Sequence, residues 1–333
     1  MGVGAVHTAD LDAFVVEYDD RHRLDPAAAA AWLADFELRH DTQVDVSLDG
    51  FSDEYRRQQL ALYREISGRD LDQEVNELLD LWVPSVVDHV NPYNSDDPQR
   101  VAHHARTILT TILVADLPPA ARVLDMGCGW GISSEMFAYS GCEVTAVDVN
   151  ADLLAAVQQR AAVRNYPITT VHSTFDAFTA DTAFDLVFFF ECLHHAVDVA
   201  ALLGRLADNV APGGKIAVAG EPIQATWWPT WGMRLDPVSV HDMRKLGWFE
   251  SGWSESHLRA CFERAGFELT MMTGIGLYHS AIGVAVRAGD DVAVPSPHWA
   301  TPRDPDAPPP EPPPTRSAVE RAARAVGRRV FGA

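Results

Sequence analysis

The sequence predicts an α/β protein: a doubly wound, mostly parallel sheet with a helical extension ahead of it. Three observations lead there. Residues 121–131, ARVLDMGCGWG, read as a short buried strand that ends in Asp125 and runs into a loop where Gly127, Gly129 and Gly131 alternate. From there to about residue 220, strand-like and helix-like stretches alternate, the pattern of parallel strands joined by crossover helices. A helix, the turn Ala211-Pro212-Gly213-Gly214 and the apolar strand Lys215–Ala219 complete the run.

The 333 residues suffice for one large domain or two modest ones with a substantial core. Hydrophobic content of 47% and charged content of 22% are those of an ordinary globular chain. A formal charge of −21 argues against nucleic acid as a partner, because phosphates would be repelled. Cys128, Cys142, Cys192 and Cys261 show no C-x-x-C spacing and read as reduced, buried thiols. With no apolar run of membrane-spanning length and no basic-then-apolar start, the expected location is the cytoplasm.

Taken in order, residues 1–117 are expected to form a helical extension or cap. Asp25-Pro26 ahead of AAAAAWLADFELRH supplies a cap, a first-position proline and strong helix formers. Ser52 to Ile66 and Leu71 to Leu81, with Trp82 beyond, carry apolar residues at helical spacing. Three prolines and the turn NPYNSDDP break the pattern over 83–98, and a helix follows from about Gln99 to Val114. Tyr93 and His103 or His104 are candidates to face a site, with packing or exposure the alternative for each. After the glycine loop come a helix over 132–139, a strand Glu143–Val147 ending at Asp148, a helix over 151–164, a strand Ile168–His172 and the apolar strand Phe184–Phe190. A strand apolar throughout is covered on both faces.

Glycines at alternate positions let the backbone turn tightly and approach a ligand. The helix behind them aims its first N–H groups into the same space. Asp148 stands 21 residues beyond Gly127, where a Rossmann-like unit holds ribose hydroxyls. An NAD fingerprint would need Gly or Ala at position 132, which is Ile132, so a nicotinamide oxidoreductase is disfavoured. The pattern is instead D-x-G-x-G-x-G. With the helix–PGG–strand feature, residues 121–220 resemble a class I S-adenosylmethionine (SAM) dependent methyltransferase. That resemblance implies a seven-stranded sheet with an antiparallel last strand, the SAM-binding domain spanning 118–289. It implies Asp125 near the methionine amino group, Gly127, Cys128, Gly129 and Gly131 beside the methionine portion, and Asp148, followed by Val149, at the ribose. It implies Phe175 over the adenine and Asp176, or Ser173, on its amine.

Strand Phe184–Phe190 delivers Glu191, Cys192, Leu193, His194 and His195 to the ligand edge of the sheet. Methyl transfer gains from aligning acceptor, methyl and sulfur, and a hydroxyl acceptor gains from a base in reach. Histidine suits that task. His195 and His194 are both candidate bases, with Glu191 orienting a histidine, touching the cofactor or acting itself. Glu221, at the end of the next strand, is a second candidate for contacting acceptor or metal.

Residues 223–253 are expected to be a substrate lid. Five of the nine tryptophans lie there, Trp227, Trp228, Trp231, Trp248 and Trp253, with Arg234, Asp236, His241 and Asp242. Flat aromatic faces beside polar groups suit a carbohydrate, and a small core closing the lid is the alternative. Trp227, Trp228, Trp231, Arg234, His241 and Tyr93 are the candidate acceptor contacts. Across 184–270 the chain resembles, more loosely, bacterial polysaccharide and glycoside-tailoring methyltransferases, some of which use Mg²⁺. Carboxylates and histidines are present, but no spacing amounts to a metal motif. The expected activity is therefore O-methylation of a sugar hydroxyl. A small-metabolite O-, N- or C-methyltransferase and a non-catalytic methyltransferase-like subunit are the alternatives.

A helix over 256–265, a strand Phe267–Met272 and a last strand Tyr278–Arg287 end the domain. Residues 290–314 read as a proline-rich linker, with ten prolines over 295–314. Residues 315–333 carry five arginines against one glutamate on an amphipathic pattern, suited to weak membrane-surface contact, a clamp on the acidic body, or a free tail. A homodimer is a further expectation left open.

Overall fold

A computed structural model of the chain describes residues 2–78, 83, 87–93, 95–223, 228–274, 282–294 and 300–302. The N-terminal part holds strand β1 (Ala5–His7), helices α1 (Leu11–Leu24) and α2 (Pro26–Trp32), and strand β2 (Glu37–Arg39), which pairs parallel with β1. Asp25 caps α2 by accepting the N–H groups of Ala27 and Ala28, but the helix expected to run on through FELRH stops early. Phe36 turns to an extended backbone and Glu37–Arg39 join β1 instead. Tertiary pairing overrides a favourable helical composition here. Helix α3 (Asp53–Ser67) starts at the Ser52 cap and ends at Gly68, whose φ of 71° suits glycine. Helix α4 covers only Gln73–Asn76 of the stretch read as helical over 71–81, and Leu79, Leu81 and Trp82 lie outside the described residues. Helix α5 (Pro98–Ala115) opens at Asp97 with proline in its first turn.

The expected alternation follows: β3 (Arg122–Met126), α6 (Ile132–Tyr139), β4 (Glu143–Asp148), α7 (Ala151–Arg164), β5 (Ile168–His172), β6 (Phe184–Phe190), α8 (Val199–Leu206) and β7 (Val210–Ala219). The segment read as a lid holds β8 (Trp231–Met233), α9 (Pro237–Leu246) and β9 (Ser251–Trp253). Then come α10 (Glu255–Arg264), β10 (Phe267–Gly274), β11 (Ile282–Arg287) and β12 (Ala300–Pro302).

The main sheet runs in the order β5-β4-β3-β6-β7-β11-β10-β12. Strands β3 to β7 are parallel, and β11 inserts antiparallel between β7 and β10. This is the expected seven-stranded arrangement, with an eighth short strand at its edge. That strand, β12, falls inside the stretch read as linker. Sequence alone misses it because Thr301-Pro302 looks like the rest of the proline-rich run, and only the open edge of β10 gives it a partner. Residues 303–333, with the basic segment, lie outside the described residues.

Strand β6 shows why its sequence is apolar throughout. Val187 and Phe189 join the core shared with α8 and α10, while Leu186, Phe188 and Phe190 join the core on the other face, with α5 and α6. The N-terminal helices close over the segment containing β8 and α9. Tyr55 Oη donates to Trp231 O at 2.5 Å, Gln59 Oε1 accepts Met233 N–H at 3.0 Å, and Tyr63 Oη donates to Gly247 O at 2.6 Å. Among the described residues no helix is long and apolar enough to cross a membrane.

Candidate active site

The carboxyl ends of β3, β4, β6 and β7 meet at one edge of the sheet, and the polar residues of the chain converge there. Asp125 on β3 is 1% exposed. Its Oδ2 accepts from Ser133 Oγ at 2.7 Å and Ser134 Oγ at 2.5 Å, both on α6, while Oδ1 is buried with no hydrogen-bond partner among the described residues. Burial, against the two serine hydroxyls and with Asp148 adding repulsion, pushes its pKa up to about 6. Asp148 at the end of β4 accepts Gly129 N–H and Asn150 N–H, each at 2.8 Å, and burial raises its pKa.

Between the two acids runs the glycine loop. Gly127 has φ 67°, and a Cβ there would come within 2.8 Å of Cys192 Cβ and 3.2 Å of Phe175 Cζ. A Cβ at Gly129, by contrast, would meet nothing within 4 Å among the described residues. Cys128 and Val149 flank it, Cys128 buried and Val149 holding His172 Nε2 through its carbonyl at 2.8 Å. Gly131 opens α6 against Arg160, which is buried in an ion pair with Glu135.

Glu221, just past β7, is fully committed. Its Oε1 accepts the N–H groups of Cys192 (3.0 Å) and Leu193 (2.9 Å), and its Oε2 lies 2.9 Å from His194 Nδ1. Burial raises the pKa of this carboxyl, but His194 and the two N–H groups outweigh it and leave it lowered. His194 Nε2 then faces Glu250 Oε2 at 3.6 Å, and Arg234 Nη1 donates to Glu250 Oε2 at 3.1 Å. His195 Nδ1 lies 3.1 Å from Glu77 Oε2, too poorly aligned for a hydrogen bond, and the imidazole meets Trp248 edge-on. Burial would lower the pKa of His195; Glu77, with Glu250 and Glu221 behind it, reverses that and pushes it up to about 9. That direction favours the protonated ring and weighs against His195 as a free base.

Glu191 stands on the other side of the same edge. Its φ is 52°, a left-handed backbone that residues with a Cβ rarely adopt. Burial, with Glu221 nearby and Arg100 and Arg234 opposing, pushes its pKa up to about 7. Its Oε1 lies 3.5 Å from His104 Nδ1 on α5, and the His104 ring is 4.2 Å from that of Tyr93. Tyr93 Oη accepts from Arg100 Nη2 at 2.9 Å.

The sheet edge therefore brings together Asp125, the glycine loop, Cys128, Asp148, Val149, Phe175, Glu191, His194, His195, Glu221, Arg234 and Tyr93. Other candidates are placed elsewhere. His241 pairs with Asp19 at 3.0 Å and Asp242 at 2.8 Å and meets Tyr18, on the contact between α9 and α1. Asp176 is an exposed carboxylate paired with Arg205 at 2.5 Å. The sugar-stacking surface expected of the tryptophans is corrected. Trp228 and Trp231 are 9% and 5% exposed, and their indole N–H groups donate to Met233 O and Gly50 O at 2.7 Å. They form the small core that joins this segment to the N-terminal helices. Trp227 lies outside the described residues.

Glu77, Glu250 and Arg100 are site residues that the sequence alone does not point to, and Trp248 enters the sequence reading only as one of the five lid tryptophans. Only packing of the N-terminal helices and the 231–253 segment onto the sheet edge brings them there, and no local spacing announces it. Ligand atoms of His194, His195 and Glu250 lie within 4.8 Å of one another, close enough to share a metal ion. His194 already faces Glu221 and Glu250, His195 faces Glu77, and Glu250 accepts from Arg234, contacts that a cation would have to displace.

Residues 93–271, more than half of the chain, match the family described as "Methyltransferase domain". A ubiquinone biosynthesis O-methyltransferase from Xanthomonas axonopodis pv. citri is 32% identical over 127 residues, 37% of this chain and 53% of that protein. One from Cronobacter sakazakii is 31% identical over 153 residues, 41% of this chain and 63% of that protein. The chain thus spans between half and two thirds of these curated relatives. Among solved structures, magnesium protoporphyrin IX methyltransferase from Synechocystis PCC 6803 with bound SAH aligns with a TM-score of 0.45 at 22% identity, covering 59% of this chain and 91% of that one.

Proposed function

The chain belongs to the methyltransferase-domain family, and from that membership we propose that it transfers a methyl group from SAM to a hydroxyl of a small molecule. The observation that carries this reading is the pair of acids beside the glycine loop, with Asp125 Oδ1 buried and without a hydrogen-bond partner among the described residues. A buried acceptor atom left unpaired is costly, and a ligand ammonium is a natural partner for it. The residues present fit SAM in this respect: a carboxylate for the amino group, a loop that no described side chain crowds at Gly129, and a second carboxylate for ribose hydroxyls.

SAM, when bound, supplies a methyl group on a sulfonium and needs no metal to activate it. The chain's own part is to bind, align and deprotonate. Asp125 and the loop would hold the methionine end, and Asp148, without giving up its two backbone donors, would accept from the ribose. Phe175, against Gly127, is the candidate adenine cover, and the exposed Asp176 is the weaker choice for its amine. Glu191 is the better base of the edge: at about 7 its carboxyl is half ionised at neutral pH, whereas His195 is already protonated and Glu221 is closed off. His195 is then an electrostatic partner, held by Glu77 beside the cofactor strand ends.

The acceptor we favour is a phenolic or enolic hydroxyl in preference to a sugar. A base near 7 is matched to a moderately acidic hydroxyl, and the buried tryptophans remove the main argument for a saccharide platform. The relatives named above, being ubiquinone biosynthesis O-methyltransferases, support oxygen as the atom methylated.

Isothermal titration with SAM, S-adenosylhomocysteine and NAD tests the cofactor. Binding of the first two alone is expected, and Asp148→Ala should weaken it by about 1–3 kcal/mol. Methyl-labelled SAM with phenolic, sugar and amine acceptors, read by mass spectrometry, tests the acceptor. Labelled sugars without labelled phenols would overturn the acceptor assignment, and absence of SAM binding the whole reading.

A further inference from the structure

We propose that His104 is a positioning residue for Glu191, its Nδ1–H holding the Glu191 carboxylate in the orientation that receives the acceptor's proton. The proposal deepens the O-methyltransferase reading and rests on it.

Three features of the geometry point the same way. The first is strain. Glu191 closes β6 in a left-handed backbone that residues with a Cβ adopt only at a cost. Such outliers persist where surrounding structure holds them and cluster at functional sites. This one turns the side chain over Gly220: a Cβ at Gly220 would stand 2.5 Å from Glu191 Cγ, so the glycine leaves the room that the carboxyl needs.

The second is the partner towards which the carboxyl is turned. His104 is 6% exposed, clasped by the Tyr93 ring at 4.2 Å and the edge of Phe190 at 5.5 Å, and its Nδ1 has no hydrogen-bond partner among the described residues. Glu191 Oε1 stands 3.5 Å from that nitrogen, just beyond hydrogen-bond length.

The third is charge. Among the described residues, the groups that bear on Glu191 are Glu221 beyond β7, Arg100 on α5 and Arg234 beyond β8, together with Tyr93 and His104. Burial, with Arg100 and His103 adding positive charge, lowers the His104 pKa to about 4, so its ring is neutral when Glu191 titrates. A neutral imidazole can orient the carboxylate without taking its proton. In the step itself the acceptor O–H bond breaks, its electron pair stays on the acceptor oxygen, and the proton bonds to a Glu191 oxygen.

The test reads both side chains in the full-length protein. In the wild type, ¹⁵N shifts of labelled histidine, assigned through His104→Asn, are expected to show a neutral ring protonated at Nδ1. A ring protonated at Nε2 alone would overturn the proposal, and this measurement needs no variant to fold well. Carbon-13 titration of Glu191, assigned through Glu191→Gln, reads the consequence. His104→Phe removes the donor and is expected to raise the Glu191 midpoint by about one pH unit or more, while His104→Asn, which keeps an amide N–H near the Nδ1 position, leaves it close to wild type. An unmoved midpoint in His104→Phe would reduce His104 to packing. Neither reading depends on SAM, so failure of SAM to bind would overturn the broader assignment separately.

Discussion

Glu221 Oε2 lies 2.9 Å from His194 Nδ1, and the same carboxylate accepts the backbone N–H groups of Cys192 and Leu193. One buried side chain thus ties the end of β7 to the turn that carries both histidines. A carboxylate closed in this way is structural first, and it fixes where His194 and His195 can stand.

Glu221→Gln is accordingly expected to cost about 3–5 kcal/mol of unfolding free energy, because it leaves His194 buried opposite only Glu250. Urea denaturation measures it. The pH dependence has a definite sign. The Glu221 pKa is lowered on folding, so its contribution is present above the ordinary value of 4.5 and is lost as pH falls through the lower folded value. Wild type should therefore lose stability on acidification more steeply than Glu221→Gln.

Asp125 has the opposite sign. Its pKa is raised to about 6 from 3.8, so at neutral pH the ionised carboxylate opposes folding by about 3 kcal/mol. Asp125→Asn keeps the shape and drops the charge. In the absence of SAM it is expected to melt at or above the wild-type temperature, while its SAM affinity falls at least tenfold by calorimetry. A variant both less stable and unimpaired in binding would show that the acid is there for the fold.

The pH–rate profile, measured as transfer from labelled SAM to the best acceptor of the panel, should be bell-shaped. Ionisation of Glu191 sets the rising limb near 7, and loss of the His195 charge sets the falling limb near 9. Glu191→Gln should lower turnover 10²- to 10⁴-fold, the usual contribution of a positioned base, and abolish the lower limb. His195→Gln should abolish the upper one. His195 also links to stability: its pKa is raised on folding, so its contribution is complete below about 6.5 and disappears as pH rises through about 9.

The sheet and its glycine loop were legible because each element carries its own local signal. ILE-SER-SER after three alternating glycines can hardly be anything but a helix start, and FDLVFFF has to be covered on both faces. What was not legible depends on contacts between distant segments. Trp231 looks like an exposed stacking face until Tyr55 and Gly50, some 180 residues earlier, are seen to bury it. His241 looks like a site residue until Asp19 claims it. Glu77 and Glu250 give no local hint, yet they decide the protonation of His195. Periodicity reports which face is apolar and says nothing about which partner covers it.

Gly127 offers a test in which backbone and binding can be separated. Its φ of 67° costs any other residue about 1–2 kcal/mol, and an added Cβ would sit 2.8 Å from Cys192 Cβ and 2.9 Å from Cys192 Sγ. Neither neighbour can retreat, because the Cys192 thiol donates to Met126 O at 2.9 Å and its N–H to Glu221. Gly141, in the turn before β4, has φ 93° but open space around it. Gly141→Ala should thus carry the backbone cost alone, and Gly127→Ala should exceed it by a further 1–3 kcal/mol, roughly the cost of overpacking. Because the strain falls between β3 and the turn after β6, only Gly127→Ala should also weaken SAM binding. Equal losses of stability in the two variants, read by urea denaturation, would mean that the loop yields to the extra methyl and that close approach to Cys192 is not what requires glycine.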